Sequence, residues 1–330
     1  MEDKKRVFSG SRPTGKLHLG NYLGAVKGYI ELQNRGDLDC IYCVVDLHGI
    51  TTPYDKETYR EGIRNVVLDY LGAGLDPAKC HIIVQSDVRA EHLELAYYFA
   101  TIFPVSRVED LPTYKEKKAQ HPDYVNVGLL YYPILMAADI SLYKADLVPV
   151  GIDQEPHLEF AREVVRRFNS MFDDTFPEPK RFDTPGRYVP SLLGEGKMSK
   201  SVEGSYVNLT DDFETIKAKI AKIPTDGGKG DKFPTSGPVV NFVNFFELFL
   251  GHDRAMQLRL EYKESGLRYG DLKKELVAAI FKELEPIAER RKQFEENTEQ
   301  VDRILLEGKE YAKGIASETL REVREKMGLK

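Results

Sequence analysis

Short, almost wholly apolar runs alternate with helix-period segments through the first part of this chain, and that alternation limits the folds open to it. The first run ends at Val7 and Phe8, the second spans Asp39–Asp46 around Ile41, Val44 and Val45, and the third is His81–Asp87. Apolar runs without polar alternation suit parallel strands covered on both faces. Between them Tyr22, Leu23, Val26, Tyr29, Ile30 and Gln33 recur at three- and four-residue spacing, as do Ile63, Val66, Val67, Tyr70 and Leu71 in a helix expected to open at Pro53–Asp55 and to stop at Gly72 or Gly74. That spacing is one face of a helix. A further helix is expected around Glu91–Phe103. Strands alternating with helices imply βαβ units, hence an α/β fold with a Rossmann-like doubly wound parallel sheet.

From Pro104 the alternation lapses. Val105–Gln120 reads as helix, ending in the lysine run Lys115–Lys118, and Val125–Tyr143 as a helix bent or interrupted at Pro133. Asp146–Gln154 is expected as a strand. Glu155–Phe172 is amphipathic, with Leu158, Ala161, Val164, Val165 and Phe168 inward and Arg162, Arg166 and Arg167 outward. A Pro-rich passage, Phe176–Pro190, follows. Beyond Ser201 only helices are expected, at about Val239–Leu250, Asp253–Ser265, Asp271–Asn297 and Glu299–Met327, after a capping box at Asp211–Glu214. The division is therefore 1–200 as an α/β domain with a helical insertion at about 104–145, and 201–330 as a helical domain whose last helix packs back on the first.

The 330 residues, 42% hydrophobic and 30% charged, are ordinary for a globular protein. The charged stretch MEDKKRVFSG runs straight into a strand, so no signal peptide is expected, and no apolar run reaches the ~20 residues of a membrane helix. A net charge of −6 argues against a dedicated non-specific nucleic-acid binder but leaves room for local basic patches. The cysteines, Cys40, Cys43 and Cys80, fit reduced thiols in a cytoplasmic protein. Cys40 and Cys43 form a CxxC within a strand, where residues three apart face opposite ways, so no metal site is expected there.

Two stretches carry the chemistry. The first is FSGSRPTGKLHLGNYLGA, Phe8–Ala25, a strand–turn–helix junction that puts His18, Gly20 and Asn21 at a helix N-terminus. Free N–H groups and the dipole favour an anion there, and Gly20 lets a flat ligand approach the backbone. The second is GEGKMSKS, Gly194–Ser201, where Lys197 and Lys200 alternate with Ser199 and Ser201 behind two glycines. Alone, a KxxK is most simply a solvated loop. A glycine-hinged loop with two cations and two hydroxyls also suits a triphosphate whose charge shifts during reaction. Asp46–His48 closes the second run at the strand edge where open α/β sheets bind ligands.

The HxGN turn together with KMSKS resembles the two signatures of class I aminoacyl-tRNA synthetases. Within that class the chain is similar to the tryptophanyl-tRNA synthetases over nearly its whole length, through FSGSRPTG, HLGNYLGA, VVDLHGIT, GLLYYPILMAADI, LVPVGIDQEPHLEFARE and KMSKS. The resemblance implies activation of L-tryptophan by ATP with Mg2+, giving tryptophanyl-adenylate, and transfer to tRNA(Trp). It implies His18 and Asn21 at the ATP phosphates, Gly20 under the adenine, and Lys197, Ser199 and Lys200 on the β- and γ-phosphates. Met198 would lie near the adenine, Lys117 would add a phosphate contact, and Gly151 and Asp153 would hold the ribose. His18, Asn21, Lys197 and Lys200 are the expected catalytic set. Gln154 and Tyr132 would reach the amino acid's amine or carboxylate; Phe8, His48, Met136, Val148 and Val150 would wall the indole, with Asp139 accepting from its N–H. Arg12 replaces a glutamine of some bacterial relatives, and could pair with the substrate carboxylate or an ATP phosphate. The resemblance further implies a homodimer formed through Val105–Tyr143, with tRNA bound across both subunits and its anticodon at the helical domain. Some relatives carry a four-cysteine iron–sulfur cluster; with no cysteine after Cys80, this chain cannot.

The natural rival is a tyrosyl-tRNA synthetase. In those enzymes a YxxxQxxD pattern carries a glutamine where Tyr132, Met136 and Asp139 place a thioether. A different adenylate-forming nucleotidyltransferase has no use for the helical C-terminal domain. A non-catalytic paralogue would not need His18, Asn21, Lys197 and Lys200 intact.

Overall fold

The structure is a computed structural model of the chain, and it describes residues 4–120, 122–151, 154–183, 188–194, 196–200 and 202–329. Five parallel strands form one sheet in the order β3-β2-β1-β4-β5: β1 (Lys5–Ser11), β2 (Leu38–Val44), β3 (His81–Val84), β4 (Leu147–Val150) and β5 (Lys180–Asp183). The chain builds outward from β1 to β3, then returns to the other side of β1 for β4 and β5. Strand order reverses between β1 and β4, and the crevice at the carboxyl ends of such a pair is where open sheets bind ligands.

Two cores cover the sheet, one per face. Val7, Cys40, Tyr42, Val44, Ile82 and Val84 face one, with Tyr29, Val66 and Tyr70 from the helices above them. Phe8, Ile41, Cys43, Ile83 and Val148 face the other, against Leu95, Phe99, Leu158 and Phe168. Cys40 and Cys43 thus lie on opposite faces, as strand geometry requires. Burial drives the thiols of Cys40 and Cys43 up, so both are protonated fillers of the core.

The first helix begins as a short α1 (Leu19–Asn21), passes through a π-turn at Tyr22–Val26, and continues as α2 (Lys27–Asn34). A one-turn α3 (Asp46–Gly49) follows β2, so Asp46 opens a helix rather than closing the strand. Then come α4 (Tyr59–Ala73), stopped by Gly74 at φ 114°, α5 (Arg89–Ile102), the pair α6 (Val105–Glu109) and α7 (Pro112–Gln120), α8 (Val127–Leu142) with Pro133 inside it, and α9 (Glu155–Phe172). The strand β5 was not expected within the Pro-rich passage. Its sequence KRFD lacks an apolar run because it is the sheet's edge, and Arg181 pairs with Glu155 at 2.7 Å beside it.

Five helices complete the chain: α10 (Phe213–Ala221), α11 (Pro238–Leu250), α12 (His252–Glu264), α13 (Tyr269–Glu296) and α14 (Thr298–Lys326). Their core is continuous with that of the sheet: Phe242, Phe246, Leu276 and Ile280 belong to the cluster containing Val7 and Tyr42. α13 packs on α4, and α14 runs along β3 so closely that a Cβ at Gly308 would collide with the Ile82 carbonyl. No helix among the described residues is long and apolar enough to cross a membrane.

Candidate active site

At the carboxyl end of β1 the chain turns through Arg12–Gly15 into the His18 turn. His18 is extended and caps α1: its Nδ1 accepts the Gly20 N–H at 3.0 Å, while its own N–H donates to Asn21 Oδ1 at 3.2 Å. Because Nδ1 accepts, the neutral ring carries its proton on Nε2. Burial, with Lys200 and Lys197 nearby, draws the imidazole down to about 4, so it is neutral at pH 7. The result is an uncharged N–H donor at a helix N-terminus. Gly20 is required for this arrangement, since a Cβ there would stand 2.8 Å from His18 Cε1 and 3.4 Å from Met198 Cβ.

The lysine loop is fixed at its middle and carries its cations outward. Met198 is buried, and its N–H donates to the Val189 carbonyl at 2.9 Å. Gly194 and Gly196 take φ of 87° and 73°, the left-handed region that glycine occupies at little cost. Lys200 reaches across to the first signature, donating from Nζ to the Thr14 carbonyl at 3.2 Å. It is half-buried, and burial lowers its ammonium to about 8, against the opposing pull of Asp69. Behind the loop, Leu19 N–H donates to Val207 O at 2.9 Å and Leu209 N–H to Leu17 O at 3.0 Å. The structure thus brings His18, Gly20, Asn21, Lys197, Met198, Ser199 and Lys200 into one region. Glu195 and Ser201 lie outside the described residues.

A second pair of cations borders the same turn. Lys117, in the last turn of α7, is held below the usual ammonium range by burial and by Arg12. An anion close to both cations would relieve their repulsion. At the end of β4, the Gly151 carbonyl accepts from Gln154 N–H at 3.0 Å. The expected ribose contact Asp153 lies outside the described residues.

On the other face of β1, Phe8 and Val148 are buried, with Tyr132, Met136 and Val150 packed against the same core. Asp139 sits at the centre of a buried polar network. Its Oδ2 meets His48 Nε2 at 2.7 Å; its Oδ1 meets Gln85 Nε2 at 2.8 Å and His92 Nδ1 at 2.7 Å. Burial pushes this carboxyl up, but the charges and hydrogen bonds of His92 and His48 outweigh it and hold the group at about 2. An ionised carboxylate only accepts, so both imidazoles donate to it, and His92 Nε2 lies 2.8 Å from the Tyr143 hydroxyl. Tyr143 in turn stacks on Phe8, ring centres 5.1 Å apart. Tyr132 OH lies 3.3 Å from His157 Nε2, and its ring stands edge-on to His48. Gln85, His92, Tyr143 and His157 were not singled out from sequence. A histidine on the buried face of α5, beside Leu95 and Phe99, was the one available signal.

A doubly wound sheet whose switch point joins an HxGN turn to a KMSKS loop defines a class I synthetase. The family model for class I tRNA synthetases of the W and Y type matches residues 1–285, and the chain belongs to that family. A tryptophan–tRNA ligase of Porphyromonas gingivalis is 41% identical over 331 residues, covering 98% of this chain and 99% of the relative. The tryptophanyl-tRNA synthetase of Campylobacter jejuni, solved with ADP and tryptophan, superposes with a TM-score of 0.84 at 30% identity over 98% of this chain and all of the other. That of Mycoplasma pneumoniae gives 0.85 at 31% identity, covering 99% of each chain.

Proposed function

We propose that this protein is a tryptophan–tRNA ligase, activating L-tryptophan with ATP and passing it to tRNA(Trp). The observation that carries the reading is the contact between the two signatures, Lys200 Nζ on Thr14 and Met198 under Gly20. Full-length similarity to tryptophan enzymes favours it over the tyrosyl alternative.

The tryptophan carboxylate attacks the α-phosphorus of ATP, a C–O–P bond forms as the bond to pyrophosphate breaks, and Mg2+ enters with ATP as its chelate. The nucleophile is already an anion, so no general base is needed, and a neutral His18 suits that chemistry. The site works by alignment and by preorganised donors aimed at developing charge. His18 Nε2–H and Asn21 hold the phosphates, with Gly20 beneath the adenine and Met198 beside it. Lys197, Ser199 and Lys200 take the β- and γ-phosphates, Lys117 and Arg12 supplement them, and Gly151 with Asp153 holds the ribose. Phe8, His48, Met136, Val148 and Val150 wall the indole, and Tyr132 and Gln154 orient the amino-acid end. Asp139 reads the indole N–H: a carboxylate offers about four lone-pair sites, and its network uses three, leaving one on Oδ2.

Residues 201–330 form the helical domain that binds the anticodon, and the protein works as a homodimer. Val127 at 80% exposed, Tyr97 at 64% and Val105 at 61% support a pairing surface on α5, α6 and α8. The test of the activity is ATP–pyrophosphate exchange across all twenty amino acids. Exchange dependent on tryptophan is expected; exchange on tyrosine alone, or none, overturns the reading.

A further inference from the structure

A buried ion pair outside this site reaches it through one backbone hydrogen bond and through the charge of Asp69 on Lys200. Asp69, in α4, is wholly buried, and Arg291, in α13, is 2% exposed. Arg291 Nε stands 2.8 Å from Asp69 Oδ1. Neither atom makes a directed hydrogen bond, so this contact is one of charge and proximity rather than of alignment. The other oxygen, Asp69 Oδ2, accepts the N–H of Leu17 at 2.5 Å, immediately before His18. The rest of the guanidinium is occupied on its own side, donating to Asn65 Oδ1 at 2.6 Å and lying 2.7 Å from Glu295.

Burial pushes the Asp69 carboxyl up to about 6, and Arg291 and the Leu17 N–H pull the other way. A buried carboxylate deprived of its partner is strongly disfavoured, so its hold on Leu17 depends on Arg291 remaining in place. Arg291 is itself seated tightly: a Cβ on Gly72, three residues beyond Asp69, would stand 2.7 Å from Arg291 Cβ and 3.0 Å from the Ile287 carbonyl. α13 cannot lift from α4 without withdrawing the guanidinium.

We infer that Asp69 and Arg291 are positioning residues for ATP: they fix Leu17, hence the His18–Asn21 turn, and make that turn depend on the seating of α13. The inference rests on the reading of His18 and Asn21 as phosphate contacts. It predicts a separation of effects that loss of packing alone does not give. In Arg291→Met, the KM for ATP in tryptophan-dependent exchange rises tenfold or more, while the tryptophan dissociation constant stays within twofold. Amides of Leu17–Asn21 exchange hydrogen at least tenfold faster, while those of β2 keep their protection. The double variant Asp69→Asn/Arg291→Met keeps an acceptor oxygen for Leu17 without a lone buried charge, and recovers most of the ATP affinity. Should Arg291→Met fail to fold, that double variant is compared with Asp69→Leu/Arg291→Met, which lacks the acceptor. Unchanged exchange at Leu17–Asn21 on removing the partner or the acceptor, or equal weakening of both substrates, overturns the inference. The amide measurement needs no activity, so a wild-type protein without exchange activity overturns the functional reading alone.

Discussion

Lys200 and His18 meet one anion with opposite electrostatic habits. Burial brings the Lys200 ammonium to about 8, so in the free protein its charge is present below that pH and lost above it. His18 at about 4 is neutral from pH 5 upward. The expected kcat/KM profile for ATP therefore has no limb from His18 above pH 5, rises through about pH 6 as Asp69 ionises, and falls above about pH 8, measured by pyrophosphate exchange. Bound phosphate favours the ammonium, so the same limb in kcat lies at higher pH. Lys200→Ala removes a donor that grips as charge moves to pyrophosphate, and single-turnover adenylate formation is expected to slow ~100-fold or more with tryptophan binding unchanged. Asp139→Ala is expected to cost ~300-fold or more in kcat/KM for tryptophan with ATP affinity near normal, since sites built on a hydrogen bond discriminate strongly. Retained wild-type efficiency would assign the indole to another residue. His18, Lys200 and Asp139 stood out in sequence as candidates because motif and spacing mark them. Gln85 and His92 were not, because a polar side chain declares its purpose only through a partner, and His92 finds Asp139 47 residues away.

Among the elements, several helices with a clear apolar stripe were legible to within a residue or two: Glu155–Phe172 has the bounds its Leu158, Ala161, Val165 and Phe168 pattern implies, whereas α4 opens at Tyr59 rather than at Pro53–Asp55 because its apolar stripe begins only at Ile63. β5 was illegible because pairing with β4, not composition, makes KRFD a strand. The HLGN turn depends on backbone room as much as on side chains. In Gly20→Ala the new methyl displaces the His18 ring from its cap, and ATP-dependent activation is expected to fall ~100-fold while tryptophan binding persists, as equilibrium dialysis would register. At the far edge of the sheet Gly308 lets α14 lie on β3. Gly308→Ala is expected to destabilise the protein by about 1–3 kcal/mol through overpacking, read from the urea midpoint.

At the scale of the molecule, light scattering at micromolar concentration is expected to give about twice the 37.6 kDa of one chain. A value of 37.6 kDa would remove the role assigned to the apolar surface of α5, α6 and α8. The α/β class was legible because three strands in succession announce it. The continuity of the helical region's core with that of the sheet was not, because it depends on which faces of α11 and α13 meet. The strand order has a consequence for how the protein is made. β1 is synthesised first and sits at the centre of the sheet, yet its second neighbour, β4, comes after α8, and the lysine loop later still. A growing chain therefore holds one edge of its central strand unpaired through much of translation, and parallel pairing between distant segments is slow. The sheet is therefore complete before the nucleotide site is: a chain halted just ahead of the lysine loop has all five strands but lacks Lys197 and Lys200.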